Sequence, residues 1–377
     1  SMSVIILQLS QNQQHSYTGL GMLEFFKDIP IALVSIFMVD YIKKRSYYIS
    51  LSIALIICTL CSFTIPFVSE FWFLKIWFIL IGISFSIGKI CVFSIIKNIS
   101  DNEKDFSKTM SRTEAAFMLG VFIVNIEFAI ILNSDYKDYW KFGFWLVGII
   151  SSWAAFQFYR IDKQNVYEID KSQSKEVIDF RILFDYKSIL FFTIVVIIVF
   201  TEQIFNSWLP TFYKHTLKAD SFFALQSSAL LALFSFIGRL LASKAVVKFS
   251  PMKIFFFCLI SGIILTSSAY IIGQDTDVKV KILMFLFPMV GIFTAPLYPM
   301  LNSKYLSKFS ERRVGKIVSI IILFTSLGGS IGSMSTAYIF QKNLGNYYLL
   351  FATIPLILIL IFSTFFSIKE KISEYIK

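Results

Sequence analysis

Residues Ile189–Tyr213 read ILFFTIVVIIVFTEQIFNSWLPTFY, 25 residues with a single charge, Glu202. As a helix rising 1.5 Å per residue, the run extends about 38 Å. That exceeds the roughly 30 Å of hydrocarbon in a bilayer. Ten further runs of the same kind flank it: Ser16–Ile42, Ser46–Phe67, Phe71–Ile96, Thr109–Leu132, Trp140–Tyr159, Phe222–Val247, Lys253–Gly273, Val280–Leu301, Val314–Phe340 and Tyr347–Ile368. Short charged loops separate them. A helix satisfies its backbone polar groups internally, so it is the form in which such a run crosses lipid. The chain therefore reads as an all-α polytopic membrane protein.

Composition agrees. Phe occurs 43 times, and charged residues make up 16% of the chain, against roughly 25% in soluble domains. Mean hydropathy is +0.71. The net charge of +11 does not mark a nucleic-acid partner, because the basic residues lie in alternate loops. The loops around Lys43–Arg45, Lys97–Arg112, Arg160–Lys187, Arg239–Lys253 and Lys304–Lys316, with the tail Lys369–Lys377, hold about 25 Lys and Arg; the other loops hold about six. This bias places the first set and the C-terminus in the cytoplasm; a bacterial inner membrane is the expected location.

Residue 1 then falls on the outer side. Within Ser1–Ser10 only Val4–Leu9 is apolar, too short to cross. It reads as the last turns of a first helix, most of which is absent from this chain. The expected plan has twelve helices: residues 1–159 hold the end of helix 1 and helices 2–6, residues 160–187 form a cytoplasmic linker, and residues 188–377 hold helices 7–12. The linker is polar and balanced in charge, as inter-domain segments are.

Short basic loops follow helix 2 (Asp40 to Arg45) and helix 8 (Gly238-Arg239 to Lys248). Equivalent loops in two halves suggest an internal repeat, a common transporter plan. With the six-plus-six arrangement and the loop residues Asp40, Lys44 and Arg45, the chain resembles the major facilitator superfamily. Ile36, Tyr41 and Lys43 replace other residues of that family's loop motif. The resemblance implies two six-helix domains related by pseudo-twofold symmetry. They would rock about a central site in a monomer that carries a small-molecule substrate across the bilayer. It implies no enzyme activity, cofactor or metal. It also implies a conformational latch at Asp40 and Arg45.

Three segments further resemble the fucose–proton symporter family: Glu202-Gln-Ile-Phe-Asn-Ser-Trp-Leu-Pro-Thr-Phe212; Ile237-Gly-Arg-Leu-Leu with Lys248-Phe-Ser-Pro-Met-Lys253; and Ala295-Pro-Leu-Tyr-Pro299. That resemblance implies proton-coupled symport of a sugar-like solute. Where that family's helix 4 carries a Glu, Gly82 to Lys89 offers Lys89 and no acid.

Ionisable residues within spans are expensive, at roughly 2.5–3.5 kcal/mol each on insertion scales. They therefore mark candidate sites. Glu24 and Asp28 share a helix face with Lys27 beside them. They read either as a proton or cation relay in the outer half of helix 2 or as a self-neutralised cluster at the outer mouth. Lys89 and Glu114 lie on neighbouring helices and suit a pair, with Lys89 alternatively holding an anionic group of the substrate. Glu202, with Gln203 and Asn206 next along, is a lone carboxyl on its own helix. It is the foremost candidate for proton coupling, with Glu127 and Asn125 weaker on the same grounds. Trp208 and Tyr298 could stack on a sugar ring or simply fill the bundle. Arg239 reads as a structural or gating residue at the cytoplasmic edge. Pro296 and Pro299 interrupt helix 10 and mark a gate. Cys58 and Cys61 form a C-x-x-C without His inside an apolar helix, which does not suit a metal. No phosphate-cradling Gly loop suggests an ATP-driven pump. An exporter of siderophores, drugs or metabolites, and a receptor without transport, are the alternative functions.

Overall fold

The structure is a computed structural model that describes residues 2–11, 16–38, 41–42, 45–67, 70–164, 185–273, 285–309 and 311–375. Among these residues there is no strand. The N-terminal half contains α1 (Met2–Gln11), α2 (Tyr17–Phe37), α3 (Tyr47–Thr64), α4 (Phe71–Asn98), α5 (Glu103–Leu132) and α6 (Phe144–Gln164). The C-terminal half contains α7 (Tyr186–Thr211), α8 (Ser221–Ala245), α9 (Pro251–Gly273), α10 (Val290–Thr294), α11 (Leu297–Leu306), α12 (Glu311–Gln341) and α13 (Tyr348–Tyr375).

Local chemistry sets several helix starts. The hydroxyl of Ser16 accepts from the Gly19 N–H at 3.1 Å, and that of Ser46 from the Tyr48 N–H at 3.1 Å. The Asn102 side chain accepts from the Asp105 N–H at 2.9 Å. Each satisfies one of the four free N–H groups at a helix N-terminus. Glu103 and Asp105 add negative charge at the positive end of α5. Asn343, with φ of 56°, follows α12 in the left-handed conformation that Asn tolerates after a helix.

Nine helical segments among the described residues are long and apolar enough to cross a membrane. The expected second span is present as α2 but carries Glu24, Lys27 and Asp28. The expected tenth span is broken: α10 stops at Thr294 and α11 starts at Leu297, while residues 274–284 lie outside the described part. Asp40 and residues 165–184 of the expected linker also lie outside it. The ends of residues 160–187 are helical, since α6 continues to Gln164 and α7 opens at Tyr186. Arg45 is described, with its guanidinium 5.0 Å from the Tyr41 ring centroid.

Serine hydroxyls tie the helices together, as expected where no water reaches the backbone. Ser86 donates to the Ile31 carbonyl at 2.9 Å and joins α4 to α2. Ser84 donates to the Ala54 carbonyl at 2.7 Å, and Ser52 to the Ala155 carbonyl at 2.8 Å. In the other half, the Tyr348 hydroxyl donates to the Ile204 carbonyl at 2.8 Å, joining α13 to α7. The small residues of α12 permit close approach on two sides. A side chain at Gly328 or Gly332 would strike the α7 backbone at Val196 or Phe200, and Gly329 faces Asp28 of α2.

The two most extensive helix pairs in the molecule are α5 against α8 and α2 against α12. Both cross between the halves. The halves also meet at both ends of the bundle. At one end, Tyr17 lies 6.2 Å from the ring centroids of both Trp208 and Phe340. At the other, Ser303 donates to Ser107 at 2.9 Å, and the Lys104 ammonium donates to the Val247 carbonyl at 3.3 Å. Large apolar side chains such as Phe37, Leu60, Trp153 and Phe257 are exposed on the outside of the bundle, the surface that faces lipid in a membrane protein.

Candidate functional site: two charged clusters on the seam between the halves

The broken helix explains the centre of the molecule. Proline has no N–H, so it leaves the carbonyl four residues earlier without its helical partner. Pro299 frees Ala295, and Pro296 frees Ile292. Helix α8 lies against both carbonyls. Gly238 packs directly over the Ile292 carbonyl, where a side chain would not fit. The next residue, Arg239, donates from Nε to the Ala295 carbonyl at 3.0 Å.

Arg239 is 2% exposed, and its remaining donors reach two other helices. Nη1 donates to the Glu114 backbone carbonyl at 3.0 Å and lies 3.1 Å from the Glu114 carboxylate. Nη2 lies 3.4 Å from the Glu202 carboxylate. One planar fork thus joins α5 of the N-terminal half to α7, α8 and the helix break of the C-terminal half. Lysine, with a single point charge, has no such geometry. Lys89 completes this cluster. Its ammonium lies 4.6 Å from the centroid of the Tyr298 ring, a cation–π contact from the N-terminal half to α11.

The second cluster lies on α2. Glu24 is 0% exposed and Asp28 is 5% exposed. Glu24 accepts hydrogen bonds from the Gln203 amide and the Ser207 hydroxyl of α7. Asp28 accepts from the Ser330 hydroxyl of α12 at 3.0 Å and pairs with Lys27 at 3.5 Å. Beside them, the Trp208 indole donates to Ser333 at 3.0 Å and its ring stacks on Phe340 at 5.7 Å. Glu202 and Gln203 are consecutive, so adjacent residues of α7 serve the two clusters.

A small pocket opens against the first cluster. Met118 borders it from the N-terminal half, and Glu202, Asn206, Ser235, Thr294 and Ala295 border it from the C-terminal half. It has room for about one water molecule.

Several expectations need correction. Arg239 is not an edge residue: it lies six residues, about 9 Å, inside the end of α8. Glu202 is alone only on its own helix; Arg239 reaches it from α8. Glu114 pairs with Arg239 rather than with Lys89, because α8 packs along α5 and its guanidinium spans both carboxylates. The carboxyls of Glu24 and Asp28 are enclosed between α2, α7 and α12, while Lys27 stays partly exposed. Trp208 fills the seam, while Asn206 lines the pocket. Glu127 lies 13 residues beyond Glu114 on α5, about 20 Å along the helix. One carboxylate oxygen of Glu127 and the Asn125 side-chain oxygen meet no donor among the described residues. Ser207, Ser330 and Ser333 escaped sequence reading because serines are common in these spans and nothing distinguishes the three. The pairing of prolines with freed carbonyls was the legible signal for Arg239, had the opposing helix been known.

Comparison with known proteins adds the family. No curated protein matches by sequence. Solved structures similar to this chain include the transporter FucP in its outward conformation, with 14% identity and a TM-score of 0.71; the match covers 92% of this chain and 89% of that one. A D-xylose–proton symporter matches with 15% identity and a TM-score of 0.70, covering 96% of this chain and 92% of the other. A bacterial homologue of the iron transporter ferroportin, outward-facing, matches with 13% identity and a TM-score of 0.65, over 92% and 90%. At these identities the likeness is one of fold. The family model described as Major Facilitator Superfamily matches residues 2–333. The chain is therefore an integral membrane protein of the transporter fold and belongs to the Major Facilitator Superfamily.

Proposed function

We propose that the protein is a secondary active transporter that moves a small polar, sugar-like solute by alternating access, driven by protons. The observation that carries this reading is Arg239. It ties both halves to a broken helix in the middle of the bundle, beside a pocket lined by groups from each half. An ion network with members in both halves suits an element that is made and remade as the halves rock. Glu202, Asn206 and Arg239 are the groups that meet the solute, with Lys89 and Tyr298 flanking them. Pro296 and Pro299 supply the bend. The Tyr17 end of the bundle faces outward and the Ser107 end faces the cytoplasm, following the charge bias of the loops. Two of the similar folds named above are proton symporters, of fucose and of D-xylose, which supports solute and proton moving together.

The test is uptake into liposomes holding the purified protein under an inward proton gradient, with labelled pentoses and deoxyhexoses. The expected result is accumulation above equilibrium that a protonophore abolishes. Extrusion of siderophores or drugs with no sugar flux would replace the importer with an exporter. Binding of a ligand without flux would favour a receptor.

A further inference from the structure

The charges of the two clusters do not balance in the same way. Around Arg239, the carboxyls of Glu114 and Glu202 face two cations, Arg239 and Lys89. Around Glu24, two carboxyls face one cation, and that cation, Lys27, lies against Asp28 at 3.5 Å. Glu24 is the carboxyl left over. It is fully enclosed, and its hydrogen-bond partners, Gln203 and Ser207, are neutral.

Among the described residues, the surrounding helices offer it no further cation. On α7, Glu202 turns to Arg239. On α12, charged residues are confined to residues 311–316, far from Ser330 and Ser333. Helix α1 carries no charge. On α4, Lys75 lies over the rings of Phe26 and Phe71, and Lys89 over that of Tyr298. Lys27 is thus shared between two carboxyls, and an enclosed carboxylate with only a share of one cation is disfavoured in a bilayer. A proton on one oxygen removes the charge, and that O–H can donate a hydrogen bond to the Ser207 oxygen in place of the one Glu24 accepts from it.

We propose that Glu24 is the proton-binding residue of this protein, and that its proton is what allows α2 to close against α7 and α12. Both of its partners belong to the other half of the molecule. Opening the Tyr17 end would separate Glu24 from Gln203 and Ser207 and expose it to water, where it exchanges the proton. Glu202, held by Arg239, then serves the solute rather than the proton. The proposal rests on the alternating-access reading above.

Infrared difference spectroscopy of the whole protein in lipid nanodiscs tests it without a known solute. The carbonyl stretch of a protonated carboxylic acid should be present near neutral pH. It should vanish in Glu24→Gln and persist in Glu202→Gln and Asp28→Asn. A band that survives in Glu24→Gln, or is lost in Glu202→Gln, would overturn the assignment. So would stabilisation by sodium that disappears in Glu24→Gln, since a metal ion would then hold the position. In liposomes, Glu24→Gln should still exchange solute across the membrane while its accumulation ratio falls to one. If the unaltered protein moves no solute, the transport reading fails, while the infrared band still decides the state of Glu24.

Discussion

Arg239 shows how much one side chain holds. It satisfies two carboxylates and two backbone carbonyls drawn from two other helices and a helix break. Removing it leaves the largely buried Glu114 and Glu202 without their shared partner. Breaking a buried pair in this way costs about 3–5 kcal/mol. Arg239→Leu should therefore lower the thermal unfolding midpoint sharply, and Arg239→Lys should lower it less, because charge is kept and the fork is lost. Adding Glu114→Leu to Arg239→Leu should restore part of the loss, which a double-mutant cycle would measure. Equal midpoints for Arg239→Leu and the native protein would show that the network does not form. Sequence made the acids visible, since Glu24, Asp28, Glu114 and Glu202 stand out in apolar runs. Their partners were hidden. Arg239 looked peripheral because distance from a loop was the measure available, and Gln203, Ser207 and Ser330 become meaningful only once α2 lies beside α7 and α12.

At the scale of elements, the junction of α8 with the broken α10–α11 segment is the most constrained. Gly238 sits over the Ile292 carbonyl that Pro296 frees, leaving no space for a Cβ. Gly238→Ala should destabilise by about 1–3 kcal/mol, the usual cost of overpacking, and should push α8 away from the carbonyls that Arg239 reads. Gly120 on α5 is the control, since among the described residues no other part of the molecule lies within 4 Å of its Cβ position. Gly120→Ala should be neutral or stabilising by up to about 1 kcal/mol from helix propensity. Thermal unfolding of both variants checks the pair; a similar change in the two would contradict the close approach at Gly238. The break itself was legible, because Pro296 and Pro299 lie three residues apart in an apolar run. What it opposes was not, since nothing local couples residues 295–299 to Gly238. Helix α2 was likewise legible as a helix despite three charges, by its length and apolar face, while the reason it tolerates them lies in Gln203 and Ser207 of α7 and Ser330 of α12.

The whole molecule is two helical halves meeting along α2–α12 and α5–α8, with contacts closing both ends. Composition was enough to read an all-helical membrane bundle, because lipid leaves few alternatives. The arrangement of the halves came from packing: glycines on α12 and α8 fix how closely helices approach, and the charged clusters fix which faces meet. If the halves rock about the Arg239 centre, the Tyr17 end and the Ser107 end cannot be open together. The most direct test is the distance between spin labels in nanodiscs, with one pair at Thr18 and Lys342 and another at Lys104 and Val247, all exposed positions. The account predicts two populations for each pair, the long distance at one end accompanying the short distance at the other, with the balance shifting with pH and losing that shift in Glu24→Gln. A single fixed distance at both ends, or both ends lengthening together, would contradict it.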